Sequence, residues 1–297
     1  MVTAPRHTSW AAAGQLDRVD DHRDNPEWVR ALWYADDARL VKITADSQLA
    51  VCKDATRLRT SRPFVEYDPQ RHFLLGLVDE APWFAVEAVL DPPFRTLREL
   101  GDVLDPLEQE IAVTATAVTN WHRAAPRCAA CGQPTHVMNG GFARLCRHCG
   151  REHFPRTDPA VIVAVVDEAD RLLLARAATW DEQRVSVLAG FVEAGESFEQ
   201  AVHREIAEES DLRLSQMEYF GSQPWPFPRS IMIGFFARAA SSEISIDGDE
   251  IVYADWFTRD RLDRELGDGT VTLPGTASIA YRLIATWREG AHPLASR

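Results

Sequence analysis

The 297-residue chain has no apolar run close to the roughly 20 residues that a bilayer-spanning helix needs. Its N-terminal stretch, MVTAPRHTSWAAAGQLDRVDDHRD, is polar and lacks the apolar core of a signal peptide. A soluble, cytoplasmic protein with no membrane partner is expected. Cysteine is scarce. There are five, of which four share one short window and Cys52 stands alone. A disulfide scaffold would spread its cysteines through a small secreted chain, so the pattern fits a metal site in a reducing compartment better. Positive charge is also short, with 32 Lys and Arg against 45 Asp and Glu and a net charge of -13. That excludes a general nucleic-acid coat, because phosphates are repelled at long range, but leaves room for a local basic patch. No internal repeat and no low-complexity stretch is visible. The length points to two domains, perhaps with an insert.

The first part of the chain, to about residue 124, alternates short β-like runs with turns: ARLVKI (38–43), HFLLGLV (72–78) and PWFAVEAVL (82–90). DPLEQEIAVTATAVTNWHRA (105–124) then reads as a helix. Asp105 and Pro106 signal its start, and Leu107, Ile111, Val118 and Trp121 recur at roughly helical spacing. This part holds no catalytic constellation, and its plain reading is packing or dimerisation. Beyond residue 158, strands are expected at 159–167, 171–176, 185–191, 216–223, 230–239 and 250–257. Helices are expected over SFEQAVHREIAEES and ASIAYRLIATWREG (277–290). The order lacks a regular βαβ rhythm, which favours an α+β protein with a mixed sheet.

CAAC (128–131) and CRHC (146–149) make a paired C-x2-C motif. Such knuckles place four thiolates tetrahedrally around Zn2+, and four protein ligands make the site closed and structural. The ligands are Cys128, Cys131, Cys146 and Cys149, with His148 a surface residue. Arg123, Arg127, Arg144, Arg147, Arg151 and Arg156 surround this window, against the single acid Glu152. The cluster is either a solvated face or a contact for phosphates of a nucleotide or an RNA 5′ end.

In GFVEAGESFEQAVHREIAEES (190–210), Glu205, Glu208 and Glu209 fall on one side of a helix. Like charges at this spacing repel by roughly 0.2–0.5 kcal/mol per pair. An acidic helix face is often simply solvated. It is also what a hard cation such as Mg2+ or Mn2+ requires, and such ions bind phosphate oxygens. Val202 and Ile206 can anchor the helix, Gly190 and Gly195 permit a tight turn and close approach, and Arg204 can pair with Glu196. Gly190, Glu196, Arg204, Glu205, Ile206, Glu208 and Glu209 stand at the positions of the Nudix box, which this stretch resembles. One position departs: Asp211 replaces the glycine that ends the helix in a left-handed conformation, which Asp tolerates better than most residues.

SQPWPFPRS (222–230) is a stiff, aromatic loop that could be a packed corner. It also resembles the SQPWPFPxS array of NADH pyrophosphatases, a Nudix family whose members carry a zinc ribbon before the Nudix domain. The resemblance is strong over about 120–290 and only positional over 1–115. It implies an α+β protein with a Nudix α/β/α sandwich and mixed sheet, preceded by a zinc ribbon and a divergent N-terminal α+β domain. The implied boundaries are 1–124 for a Nudix-like N-terminal domain with its linker helix, 125–157 for the ribbon and 158–297 for the Nudix domain.

The implied catalytic carboxylates are Glu205, Glu208 and Glu209, with Glu209 the most sensitive. Glu250 of EIVYADWF and the carbonyl of Ala189 would complete a shell for catalytic Mg2+ or Mn2+, while Zn2+ is structural. Phe191 is expected to stack on the nicotinamide. Phe154 corresponds to an aromatic supplied by the partner subunit of a homodimer. Gln223, Trp225, Ser230, Met232 and Ala280 would line the substrate site. The implied reaction splits NADH or NAD into nicotinamide mononucleotide and AMP, and the family also removes NAD caps from RNA. Two rivals are a general Nudix hydrolase of ADP-ribose or dinucleoside polyphosphates and a zinc-ribbon regulatory module whose Nudix domain only senses a ligand.

Overall fold

The computed structural model describes residues 13–89, 91–246 and 248–295. Two compact units emerge. One runs to Thr157 and takes in Trp225–Arg229, and the other holds Asp158–Pro224 and the chain from Ser230 onward. The cysteine window belongs to the first of these.

The second unit is built on the strand Asp158–Val166. Its sequence, DPAVIVAVV, is a nearly unbroken β-branched and small apolar run, the mark of a strand covered on both faces. Alternate residues serve the two faces. Val161, Val163 and Val165 pack with Ala201, Val202 and Ile206 of the helix Phe198–Ser210. Ile162, Ala164 and Val166 pack with Leu262 of the helix Arg259–Gly267 and with Ile279, Leu283, Ile284 and Trp287 of the helix Ile279–Arg288. The unit is therefore a three-layer α/β/α sandwich with a mixed sheet. Ser230–Ala239 runs parallel to the central strand, while Leu172–Ala177 and Leu188–Phe191 run antiparallel to it. The sequence reading missed the helix Arg259–Gly267, although Thr258 caps it by accepting from Arg261 N at 3.2 Å.

The first unit has its own six-stranded sheet, and its connectivity repeats that of the second. Counting strands one to six within each unit, both sheets have the order 4-5-1-2-6, with strand 3 beside strand 1. Strands 1 and 5 are parallel in both: Arg39–Ile43 with Ala81–Glu87, and Asp158–Val166 with Ser230–Ala239. One difference lies between strands 3 and 4. The second unit has the acidic helix there. The first passes from Thr60–Ser61 to His72–Val78 without a helix.

The core of the first unit gathers Val29, Trp33, Leu40, Leu74, Phe84 and Val86. The helix Pro106–Ala124 starts as its sequence predicts, with Asp105 accepting from Glu108 N at 2.8 Å. Its last turn carries His122, which ties it to the cysteine hairpin. The imidazole stacks on Phe73 at 4.0 Å, and its Nε2 lies 2.8 Å from Gly141 O. Arg144 Nη1 donates to His122 Nδ1 at 2.8 Å, and its Nε donates to Thr135 Oγ1 at 2.7 Å. A ring that receives at Nδ1 and gives at Nε2 is neutral.

Burial, joined by the Arg144 charge and opposed by the Gly141 carbonyl, pushes the His122 imidazole down to about 4. A lowered histidine pKa means that the unfolded chain takes up the proton first. Stability is complete above the ordinary value near 6.5 and declines as pH falls toward 4, by an amount on the order of 3 kcal/mol. Urea unfolding of the protein at stepped pH should show this decline, and His122→Gln should make it shallower.

Candidate active site

The strand Leu188–Phe191 lies against the first half of the central strand, with Ile162 opposite Ala189, Val161 opposite Gly190 and Ala160 opposite Phe191. The chain then turns through Gly195, whose φ of +96° requires glycine. Ser197 caps the helix in a reciprocal box with Gln200: Gln200 N donates to Ser197 Oγ at 3.2 Å and Ser197 N to Gln200 Oε1 at 2.8 Å. Val202 and Ile206 are fully buried on the sheet. The helix ends at Asp211, whose φ of 56° and ψ of 17° place it in the left-handed region, as the replacement of glycine there requires.

Gly190 has a steric role. A Cβ at this position would stand 1.9 Å from Glu205 Cδ and 2.1 Å from both carboxylate oxygens. The Glu205 carboxylate therefore occupies the space that a side chain on residue 190 would fill. Arg204 organises the acids around it. Its Nε and Nη2 donate to Glu196 at 2.7 and 2.9 Å, its Nη1 donates to Glu205 at 2.8 Å and Glu208 at 3.0 Å, and Nη2 reaches Phe191 O at 2.9 Å. One guanidinium thus spans the loop, the strand end and the helix.

The side-chain bond from Arg204 holds the Glu196 carboxyl down to about 2, and the same bond keeps Arg204 protonated. Glu205 moves the other way. Burial raises it first, and the charges of Glu208 and Glu250 add to that against the pull of Arg204. That coupling places Glu250 within electrostatic reach of the helix, at the start of the strand Ile251–Phe257, where its carbonyl accepts from Ala178 N at 2.9 Å. Glu209 is buried and Glu208 exposed. The donors are all oxygens, a set that suits hard divalent ions. With Glu205 and Glu208 turned onto Arg204, binding such an ion requires these side chains to exchange one cation for another.

The cysteines converge more tightly. Among the described residues they are the one group of three or more His, Cys, Asp or Glu side chains whose donor atoms gather closely enough to hold a metal, all within 4.8 Å. Their Sγ atoms lie 3.5, 3.6 and 3.7 Å apart in three pairs. A tetrahedron with Zn–S bonds of about 2.3 Å has edges of about 3.8 Å, so the four sulfurs fit Zn2+. The knuckles are alike: Gly132 N returns to Cys128 O and Gly150 N to Cys146 O, each glycine at positive φ.

A sequence profile of the Nudix domain matches residues 156–272, and one for the NADH pyrophosphatase zinc ribbon domain matches residues 123–154. The chain is 39% identical over 289 residues to the NAD-capped RNA hydrolase NudC of Mycobacterium bovis, covering 91% of this chain and 92% of that protein. It is 38% identical over 289 residues to the Mycobacterium tuberculosis protein of the same name. With the human NAD-capped RNA hydrolase NUDT12 it shares 36% over 210 residues, 67% of this chain and 45% of that one. The chain belongs to the NAD-capped RNA hydrolase family of Nudix proteins.

In this Nudix protein the remaining predicted residues separate into groups. Met232 faces Ala160 and Ala160 faces Phe191 across three adjacent strands in register, so the three side chains leave the sheet on one face. Met232 and Ala280 share one hydrophobic cluster on that same face. Phe191 is 59% exposed, leaving its ring free to stack. Ser230 is buried opposite Asp158.

Gln223 lies on the strand Leu214–Trp225. It is 3% exposed, donates to Ala277 O at 2.9 Å and accepts from Ile279 N at 2.7 Å, so its amide fixes the entry to the closing helix. Phe154, 57% exposed, and Trp225 belong to the first unit.

The arginine cluster is smaller than the sequence suggests. Arg144 is buried in the His122 network and Arg123 is paired with Glu87 at 2.7 Å, whereas Arg147, Arg151 and Arg156 are exposed. His148 is exposed as anticipated. The sequence reading overlooked His153, whose Nε2 lies 3.2 Å from Cys128 Sγ. An alternating position on the strand after the second knuckle was its only signal.

Gly190→Ala tests the seat of Glu205. The added methyl must displace the carboxylate, and Mn2+ affinity measured by water-proton relaxation should fall roughly 10–100-fold, as for lost support around a metal ligand. Unchanged affinity would show that Glu205 does not need this seat.

Proposed function

We propose that the protein hydrolyses the diphosphate bridge of NADH and NAD, giving nicotinamide mononucleotide and AMP, and removes NAD caps from RNA 5′ ends. The observation that carries this reading is the packing of the Glu205 carboxylate onto the Cβ-free face of Gly190, with Glu208 and Glu250 in electrostatic reach of it. Glu205, Glu208, Glu209, Glu250 and the Ala189 carbonyl would hold Mg2+ or Mn2+, which supplies positive charge to the diphosphate oxygens. Phe191 would stack on the nicotinamide, contributing on the order of 1 kcal/mol, with Ser230, Met232 and Ala280 lining the same face of the sheet. A carboxylate of the helix takes the proton of the attacking water. Glu209, buried on the helix Phe198–Ser210, is assigned that role. Arg204 holds the loop and helix in register while this happens.

The chain organisation supports a related inference. The N-terminal sheet is a second Nudix-type sheet without a box helix, so residues 1–124 serve structure rather than hydrolysis. Phe154, exposed on the first unit, is assigned to the neighbouring site of a homodimer. A cytoplasmic location completes the reading, and no helix among the described residues is long and apolar enough to cross a membrane.

Product analysis with Mg2+, Mn2+ and no metal tests the reaction. NADH should give nicotinamide mononucleotide and AMP only with metal, and Glu209→Gln should lower kcat by about 100-fold or more. Faster turnover of ADP-ribose or diadenosine polyphosphates would favour the general hydrolase instead, and metal-independent binding without products would favour a sensor. Reversing the charge at Arg147 and Arg151 should weaken turnover of NAD-capped RNA, most strongly at low salt, and leave free NADH within about twofold. Equal losses on both substrates would reject RNA steering by this surface.

A further inference from the structure

The segment Trp225–Arg229 lies inside the array SQPWPFPRS yet belongs to the first compact unit, while Ser222–Pro224 and Ser230 belong to the Nudix unit. Pro224, Pro226 and Pro228 have no N–H, so the segment has few donors with which to organise itself. Its own backbone supplies a bond from Phe227 N to Trp225 O at 2.7 Å. The carbonyls of Pro226 and Pro228 take their donor from elsewhere: Asn120 Nδ2, at 3.1 and 3.4 Å.

Two neighbours fix which way that amide points. Asn120 Oδ1 receives Ser47 Oγ at 2.6 Å and Arg123 Nη1 at 3.1 Å, and Arg123 is itself held by Glu87 at 2.7 Å. A directed chain of bonds therefore runs from Glu87 through Arg123 and Asn120 to the two proline carbonyls. Arg98 adds a cation on the rings, its guanidinium carbon 4.4 Å from the Phe227 centroid and 5.0 Å from that of Trp225. A cavity of about 520 Å³ opens beside the segment, lined by Ser47, Thr96, Arg98, Asn120, Arg123 and Phe227 among others. Pro226 is buried while Pro228 is exposed, so packing holds one side of the segment and the bonds from Asn120 add direction to it.

We propose that Asn120 is a positioning residue for substrate selection, holding the Trp225–Pro228 segment in the form that favours nicotinamide dinucleotides. This rests on the proposed function and on what the resemblance to the NADH pyrophosphatase array implies, that the array marks a preference for nicotinamide dinucleotides. The side chain lies about a hundred positions from the segment it steadies.

The test compares kcat/KM for NADH and for ADP-ribose, which keeps the diphosphate and adenosine but lacks the nicotinamide. The variants are Asn120→Asp, which keeps the shape and turns an acceptor toward the two carbonyls, Asn120→Leu, which removes the donor, and Trp225→Ala as the reference. Two carbonyls losing their donor should lower the NADH to ADP-ribose ratio roughly tenfold in both Asn120 variants, mainly through KM for NADH. Trp225→Ala should lower it as well.

A ratio that stays within about twofold for both Asn120 variants, while Trp225→Ala lowers it, overturns the inference and leaves the array's role standing. Equal losses on the two substrates also overturn it, because they mark general damage rather than positioning. A ratio unmoved by Trp225→Ala removes the reading underneath, and the inference falls with it.

Discussion

The contact between the Glu205 carboxylate and the Cα of Gly190 fixes the distance between the acidic helix and the sheet edge. The carboxyl carbon stands 1.9 Å from where a Cβ would be, so no other residue at 190 leaves Glu205 in place. The helix is pressed to that distance from below by Val202 and Ile206, both fully buried against the central strand's odd-numbered valines. Apolar burial thus forces together charges that repel one another. The local cost is visible in Glu205, whose carboxyl is raised by burial and by the charges of Glu208 and Glu250. Such an arrangement persists only if cations compensate it, and Arg204 is one that the protein supplies itself.

Arg204 also explains why loop and helix act as one piece. Its five donors are spent on Glu196, Glu205, Glu208 and the Phe191 carbonyl, a set that a lysine ammonium with three donors could not reproduce in this planar form. The strand ending at Phe191 contributes its carbonyl to this hub and its exposed ring to the opposite, helix Ile279–Arg288 face of the sheet. Period-two alternation separates the two roles along adjacent residues: Gly190 makes room for an acid on one face, and Phe191 offers an aromatic on the other.

Features written in local chemistry were legible before any fold was known. Asp105 and Pro106 start a helix because a cap and a fixed φ act within one turn, and Asp211 ends one because its short side chain tolerates positive φ. The C-x2-C pairs name a zinc site because the ligands are close in sequence, and the acidic box carries its own spacing. Residues whose role depends on distant partners were not legible. Arg144 reads as surface charge until His122 and Thr135 close around it. Gln223 reads as part of a recognition motif, yet Ala277 and Ile279 take both ends of its amide. Helix Arg259–Gly267 has a low density of apolar residues and buries only Leu262, so its periodicity gave little to detect.

The repeated connectivity of the two sheets belongs to the same class of hidden feature. An order of 4-5-1-2-6 is a property of pairing, and pairing leaves no repeat in sequence when the core residues are interchangeable apolar types. One difference between the two sheets bears on the site. The Nudix sheet opens between strands 1 and 2, where Leu188–Phe191 pairs with residues 160–163 while Leu172 joins only at Val166, and the box helix covers that region. In the first unit Thr60–Ser61 meets Leu40 and Val41 in the corresponding place, and the following residues return to His72 without a helix. A sheet of this connectivity is therefore stable without the acidic helix. The helix is then an addition whose charge crowding the sandwich tolerates, and the residues that tolerate it, Gly190 and Arg204, mark where chemistry departs from what stability alone would select.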